Sequence, residues 1–546
     1  MRRTSTTAVC ALATAALSLG CASTRVRKAN ERALAIADAR VLEGCYGCLQ
    51  DARATYERLA AGKQGAAIVP RLFETNVLIA LREKELALDS RAAIERARAL
   101  VPRVPTALDP VRVLAIVDAV LPDHNGLPMK SLGALRRANA AFLETIDAEL
   151  AWIEQAPLTP PVRNYVALSL DCSYHDRKKV PGDTVNRLAR RREVPINAPP
   201  LVAYRAAYCE RSDTLALKRI LVAAPTLDET AYALAQVIVW NAGETGGDDA
   251  LTLLDRAHAR FPRAPGISFI TGWLNSNLGD CDAAVRSFDE TLAIQPAHDR
   301  ALLQKAICLT SLKQDTAAMA AATQFIALDT PNIAEGYYWR AVNRLRRREL
   351  DLARTDIEAA KARSRGGDIL SLAGMIEFEQ SQYPIAETDL RAARATWQGF
   401  KLCGAAFYLG NTLTKREAWP DAEASFDSAM VCYNERAEET ALKIEQVRGS
   451  TRGSAAFRAK RLATLETDLA DRRRRARTAA FNVASMSARL GNYARAEEML
   501  AIAQSEEELT ESVSKLREQI THASQAGRPV PSRQPVAPSP TRPRDR

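Results

Sequence analysis

From Ile267 onward the chain sets short apolar stripes against polar ones at helical spacing, and the stripes come in pairs. Each pair has a small residue in its first stripe and an alanine twelve positions later in its second: Gly272 and Ala284, Ala306 and Ala318, Ala341 and Ala353, Gly374 and Ala386, Gly410 and Ala422, Ala484 and Ala496. By subtraction, the first members of the first five pairs lie 34, 35, 33 and 36 residues apart. Four and seven residues after each alanine come further packing positions on the same face, from Phe288 and Thr291 to Leu500 and Ala503. Small side chains are needed where two antiparallel helices approach most closely, so the pattern predicts helical hairpins stacked at a near-constant period. Pro296 and Pro331 close the first two. A plain helical bundle or coiled coil gives no reason for such a period.

Upstream the pattern thins. Ala52 with Tyr56 reads as a second helix whose partner position holds Arg40, with Ala39 one place out of register. Ala80 and Ala92 make a better-spaced pair, and Ala250, Leu254 and Ala257 mark a second helix over Asp248 to Pro262. Val101 to Ser212 reads as amphipathic helical segments without a countable period, either divergent repeats or a helical inset. Between Asn434 and Thr478 the period breaks. A charged extension to Arg448, a Gly/Ser turn and a long helix from Ala455 predict a helical hairpin projecting from the stack, with Leu462, Leu465 and Leu469 packing on its other arm. After Gln525 the chain is rich in proline and arginine and is expected to be a disordered tail.

The repeat resembles the tetratricopeptide (TPR) family, most closely over Ile267 to Pro296, where Gly272, Gly279, Ala284, Phe288 and Pro296 fall on its small, bulky and proline positions. The resemblance implies an all-α, right-handed superhelical solenoid of antiparallel helix pairs that binds proteins or peptides and is not an enzyme. It also implies a concave groove lined by the first helices. Carried over position by position, that groove holds Phe269, Trp273, Arg300, Tyr338, Arg346, Phe407, Asn411, Lys415, Phe481 and Arg489, with Leu303, Ile307, Met375 and Phe378 beside them. Such a lining suits an extended or helical peptide with apolar anchors and some negative charge. The lysine and asparagine clamp with which some members grip a carboxylate is absent, since its lysine position holds Phe269, Leu303, Tyr338, Ser371, Phe407 and Phe481.

The start of the chain changes the setting. Arg2 and Arg3 precede an uncharged stretch to Gly20 whose apolar middle is too short to span a bilayer, as in a secretory signal. Leu17 to Cys21 resembles a lipoprotein processing site, which makes Cys21 the expected lipidated residue and the periplasmic face of a Gram-negative outer membrane the expected location. The net charge of +10 then points to anionic lipid, lipopolysaccharide or acidic proteins as partners rather than nucleic acid. Eight further cysteines suit an oxidising compartment. Cys45 with Cys48 would staple a turn, Cys403 with Cys432 would join the open end of one pair, Cys281 and Cys308 would be neighbours, and Cys172 with Cys209 is left by elimination. Each alternatively is a buried thiol.

Other chemistry is hard to find. His124, His175, His258, His298 and His522 sit in no close metal-ligand pattern, and nucleophile-elbow, phosphate-loop and dinucleotide motifs are missing. No catalytic residue, metal or cofactor is therefore expected. The divisions that follow are a signal at 1–20, a divergent helical region at 21–262, the array at 263–433, the hairpin at 434–478, a final repeat and helix at 479–525, and the tail at 526–546. The function expected is a lipid-anchored adaptor for envelope proteins. The alternative is a structural protein touching lipopolysaccharide or peptidoglycan through the tail and the basic run Arg472 to Arg475 with Arg477.

Overall fold

The structure is a computed structural model and describes residues 26–62, 65–174, 198–209, 214–242, 247–397, 399–449 and 455–526. Cys21 and the tail at 527–546 lie outside the described residues. Among those described, every regular element is a helix, and none is long and apolar enough to cross a membrane.

The chain divides into two compact units. The first holds residues up to Thr271 with Ala293–Gln295, and the second holds Gly272–Leu292 and everything from Pro296. In the first unit residues 26–43 form α1, followed by α2 (Tyr46–Ala60), α3 (Gly65–Glu85), α4 (Arg91–Leu100), α5 (Pro110–Ala119), α6 (Met129–Ala138), α7 (Ala140–Ile153), α8 (Pro160–Tyr174), α9 (Pro200–Cys209), α10 (Thr214–Ala223), α11 (Glu229–Ala242) and α12 (Gly247–Arg260). The boundary falls within α13 (Pro265–Asn277), which pairs with α14 (Cys281–Ile294).

The second unit continues in antiparallel pairs: α15 (Asp299–Ser311) with α16 (Asp315–Ala327), α17 (Ile333–Arg346) with α18 (Leu350–Lys361), α19 (Gly367–Glu379) with α20 (Tyr383–Arg394), and α21 (Cys403–Lys415) with α22 (Trp419–Gly449). After them come α23 (Ala455–Arg489) with α24 (Tyr493–Ala503), and α25 (Thr510–Ala526). This is the all-α solenoid of TPR-like helix pairs that the spacing predicts, with the hairpin built from the long ends of α22 and α23.

The small residues do what the period requires of them. A Cβ on Gly272 would lie 2.7 Å from the Phe288 ring, one on Gly374 2.5 Å from Leu390, and one on Gly410 2.7 Å from the Phe426 ring. In these three pairs the bulky residue four places after the alanine therefore sits directly on the glycine of its partner helix, while in the second pair that place holds Ala322. The nine alanines of the six pairs are buried.

The backbone repeats with the same register. Gly279, Lys313, Arg348, Ser381, Glu417 and Gly491 all have positive φ, each seven residues after the small residue of its first helix. The next residue's N–H reaches back past each of them, as in Asp280 N to Asn275 O at 2.8 Å and Gln314 N to Leu309 O at 2.9 Å. That is the hydrogen bond of a Schellman ending, which satisfies the last carbonyls of one helix while turning the chain into the next. Only two of the six positions are glycine. Lys313→Gly is expected to raise the unfolding free energy by about 0.5–1 kcal/mol, because an L side chain is strained at its φ of 60°. Amide hydrogen exchange of α15 and α16 checks it, and unchanged protection would mean that this turn carries no strain.

The same marker extends the repeat upstream. Ala87 has positive φ seven residues after Ala80, and Leu88 N donates to Glu83 O at 2.7 Å. The turn that follows is longer here, so Ala93 rather than the expected Ala92 is buried against α3. In the first hairpin the small residue is Ala37, buried seven places before the positive-φ Gly44, while Ala39 faces outward. Ala250, Leu254 and Ala257 are buried on α12, as read from the sequence.

Candidate functional site

In the second unit each first helix shows one side to its own partner and another to the neighbouring first helices. Residues three before the small crossing residue share its side. Hence Phe407 is fully buried, edge-on to Phe426 with ring centroids 5.4 Å apart. Phe269 and Phe481 occupy the same register and are also buried, as is Asn411. These four residues, expected in the groove lining, are interior. For Phe407 the Phe426 ring beneath the crossing point draws the aromatic inward.

Tyr338 is nearly buried and stands edge-on to Trp339 at 5.1 Å. Trp273, Arg300 and Lys415 are half-buried. Two of the expected groove cations are engaged within the array. Arg346 donates to Thr310 O at 2.8 Å and pairs with Asp315 at 3.2 Å, tying one helix pair to the previous one. Arg489 lies over the Trp419 ring at 4.2 Å.

A concavity lies over the N-terminal halves of α17, α19 and α21, lined by Tyr338, Asp368, Ser371, Met375, Leu402 and Gly404. Gly404 keeps it open, since a Cβ there would lie 2.9 Å from Met375 Cε. Beside it Phe378 meets Tyr408 edge-on at 5.6 Å, and burial pushes the Tyr408 hydroxyl up to about 12. Sequence reading missed Tyr408, Asp368 and Gly404. The adjacent Phe407 and Tyr408 were the available signal, one ring facing the partner helix and the next facing the neighbouring first helix.

The basic run of the hairpin is mostly engaged. Arg474 and Arg475 both reach Asp471 at 2.8 Å, and Arg477 pairs with Glu506 at 3.0 Å. Leu465 is buried and Leu462 and Leu469 are half-buried, the stripe expected of a hairpin arm.

Cys45–Cys48 and Cys403–Cys432 form disulfides. Cys172 is disulfide-bonded as well, while the side chain of Cys209 is outside the described residues. Cys281 and Cys308 are not joined to each other. Cys308 is a buried thiol donating to Ser276 Oγ of the previous first helix at 3.2 Å.

The first unit gathers carboxylates of its own. Arg82 of α3 is fully buried, with Nη1 2.5 Å from Glu85 Oε2 and 3.0 Å from the Tyr165 hydroxyl, and Nη2 2.7 Å from Glu229. Arg205 pairs with Glu85 at 3.1 Å, and the Tyr204 ring lies under the Arg82 guanidinium at 4.7 Å. Burial drives the Tyr165 hydroxyl well above its ordinary range, so it remains a donor, to Glu85 Oε1 at 2.6 Å. Two guanidiniums answer two carboxylates here, and the cluster ties α3, α8, α9 and α11 together. Among the described residues no group of acidic, histidine and cysteine side chains is arranged to hold a metal ion.

No family model and no curated relative matches the chain. Among solved structures it is similar to YrrB, a TPR protein with an unusual peptide-binding site, at 17% identity and a TM-score of 0.29 over 44% of this chain and 100% of that one. The Cut9–Hcn1 hetero-tetramer of the APC/C aligns at 12% identity and 0.35 over 88% and 94%. The human IFIT1 dimer with PPP-AAAA aligns at 14% and 0.35 over 73% and 94%. The TPR-like fold rests on the chain itself, on crossing residues and turns that recur in one register through six helix pairs.

Proposed function

We propose that this chain is a lipid-anchored adaptor that holds envelope proteins or peptides at the periplasmic face of a Gram-negative outer membrane. The observation that carries the reading is the concavity over α17, α19 and α21, where Tyr338 and Met375 offer an aromatic and an aliphatic anchor point on first helices. Disulfides at Cys45–Cys48 and Cys403–Cys432 suit an exported protein. Lipidation at Cys21 would confine it to a membrane surface and raise the effective concentration of partners there. The balanced ion pairs of the first unit favour a structural over a catalytic use of its carboxylates.

The test is photocrosslinking in cells from Trp273, Tyr338 or Met375, with Leu352 on a second helix as the control. Capture of one envelope protein or peptide from the groove positions alone is the expected result. Equal capture at Leu352, or none anywhere, sinks the reading.

A further inference from the structure

The hairpin of α22 and α23 does not end in free space. Lys460 pairs with Asp280, and the buried Arg461 donates through Nη1 to Asn277 O at 3.1 Å. Thr464 sits so close to Gly279 that a Cβ there would lie 2.7 Å from Thr464 Cγ2. All three contacts fall on the turn of the first helix pair. Further along the same helix, the buried Ala476, Ala480 and Ala484 belong to the last pair. About 30 Å of helix separates Lys460 from Ala480, at 1.5 Å per residue. One helix therefore joins the two ends of the array.

The route crosses a particular face. In a stack of antiparallel pairs the turns within pairs form one edge and the turns between pairs form the other. The hairpin leaves from the second edge, between α22 and α23, and lands on the first. Its landing point, Asn277, lies five residues after Gly272, the register of Arg346, Lys415 and Arg489 in the other pairs. The carbonyl end of α13 and the carboxylate of Asp280 make that edge receptive to cations, and Lys460 and Arg461 supply them. Lys460 is largely exposed, and exposed ion pairs hold weakly, whereas Arg461 is buried against the turn. Both land on the turn at the end of α13, so they can part without unfolding the pairs beneath.

We propose that the hairpin is a releasable clasp that closes the first-helix face of the array, with Lys460 and Arg461 occupying the edge of the first pair. This deepens the groove reading above and rests on it for the identity of what the clasp excludes. The clasp itself is tested without any partner, on the full-length protein, by amide hydrogen exchange and hydroxyl-radical oxidation. Lys460→Glu with Arg461→Gln is expected to speed exchange across 457–469 about tenfold while α18 and α20 stay protected. It should also raise oxidation of Trp273, four residues before Asn277 on the same helical face, about two- to fivefold. The charge swap Lys460→Glu with Asp280→Lys should return both readouts toward the wild type. Unchanged exchange, or faster exchange with no change at Trp273, overturns the clasp. Crosslinking from Tyr338 separates the two readings: stronger capture in the released variant supports the clasp, and equal capture overturns its gating while leaving the groove intact. No capture in either protein sinks the groove reading, and the exchange and oxidation results still decide the clasp.

Discussion

Arg82→Ala is expected to cost the first unit about 3–5 kcal/mol, as removal of one partner from a buried ion pair does. The guanidinium is fully buried and serves Glu85, Glu229 and the Tyr165 hydroxyl at once. Without it Glu229 keeps only the Tyr46 amide at 2.8 Å, a neutral donor for a buried carboxylate. Glu85 is better placed, because Arg205 still reaches it at 3.1 Å. Arg82→Met combined with Glu229→Leu should therefore cost much less than the two single changes added together, leaving one balanced pair. Hydrogen exchange of the α3, α8 and α11 amides is the suitable readout, since a chain of two units need not unfold in one step. A loss below about 1 kcal/mol for Arg82→Ala would mean that water reaches the cluster and that it is not the tie described.

Phe426→Ala should cost the second unit a similar amount, about 3–5 kcal/mol. Its ring fills the space left by Gly410 and meets Phe407 edge-on. Gly410→Ala attacks the same contact from the other side. The added methyl would lie 2.7 Å from two ring carbons and should cost about 1–3 kcal/mol through overpacking. In a Phe426→Leu background that penalty should shrink, because a narrower side chain can turn away. Exchange protection of α21 and α22 measures both steps. Strict additivity of Gly410→Ala and Phe426→Leu would show that the glycine and the ring are not in the close contact on which the whole period depends.

The second unit was legible because its rule is steric and short-range. A helix crossing admits only a small residue, and that need recurs at every pair, so Gly272 through Ala496 could be placed from the sequence and lie where expected. The first unit hides the same rule behind exceptions. One longer turn moves the buried alanine from Ala92 to Ala93, and Ala37 takes the place sought near Arg40. Its most demanding contacts are made by Arg82, Glu85, Arg205 and Glu229, residue types that patterning assigns to solvent. The groove was only partly legible for a related reason. Family register names a position on a helix, but of the residues three before a crossing Phe407 and Phe481 are buried while Tyr338 and Ser371 line the concavity. Cys281 and Cys308, neighbours by register, form no disulfide with each other, and the thiol of Cys308 donates to Ser276.

The Cys403–Cys432 disulfide lies where α22 leaves its pair and runs on as one arm of the hairpin with α23. It acts as a fulcrum. From Cys432 the arm extends 17 residues to Gly449, about 26 Å at 1.5 Å per residue, so a tilt of about five degrees at the base sweeps the far end by about 2 Å. That is enough to part a hydrogen bond such as the one from Arg461 to Asn277. Cys403 is also the chain neighbour of Gly404, whose missing side chain keeps the concavity open. A small displacement where a ligand would sit is thus geared up along a rigid lever, and reduction of one covalent bond would take the stiffness out of its pivot.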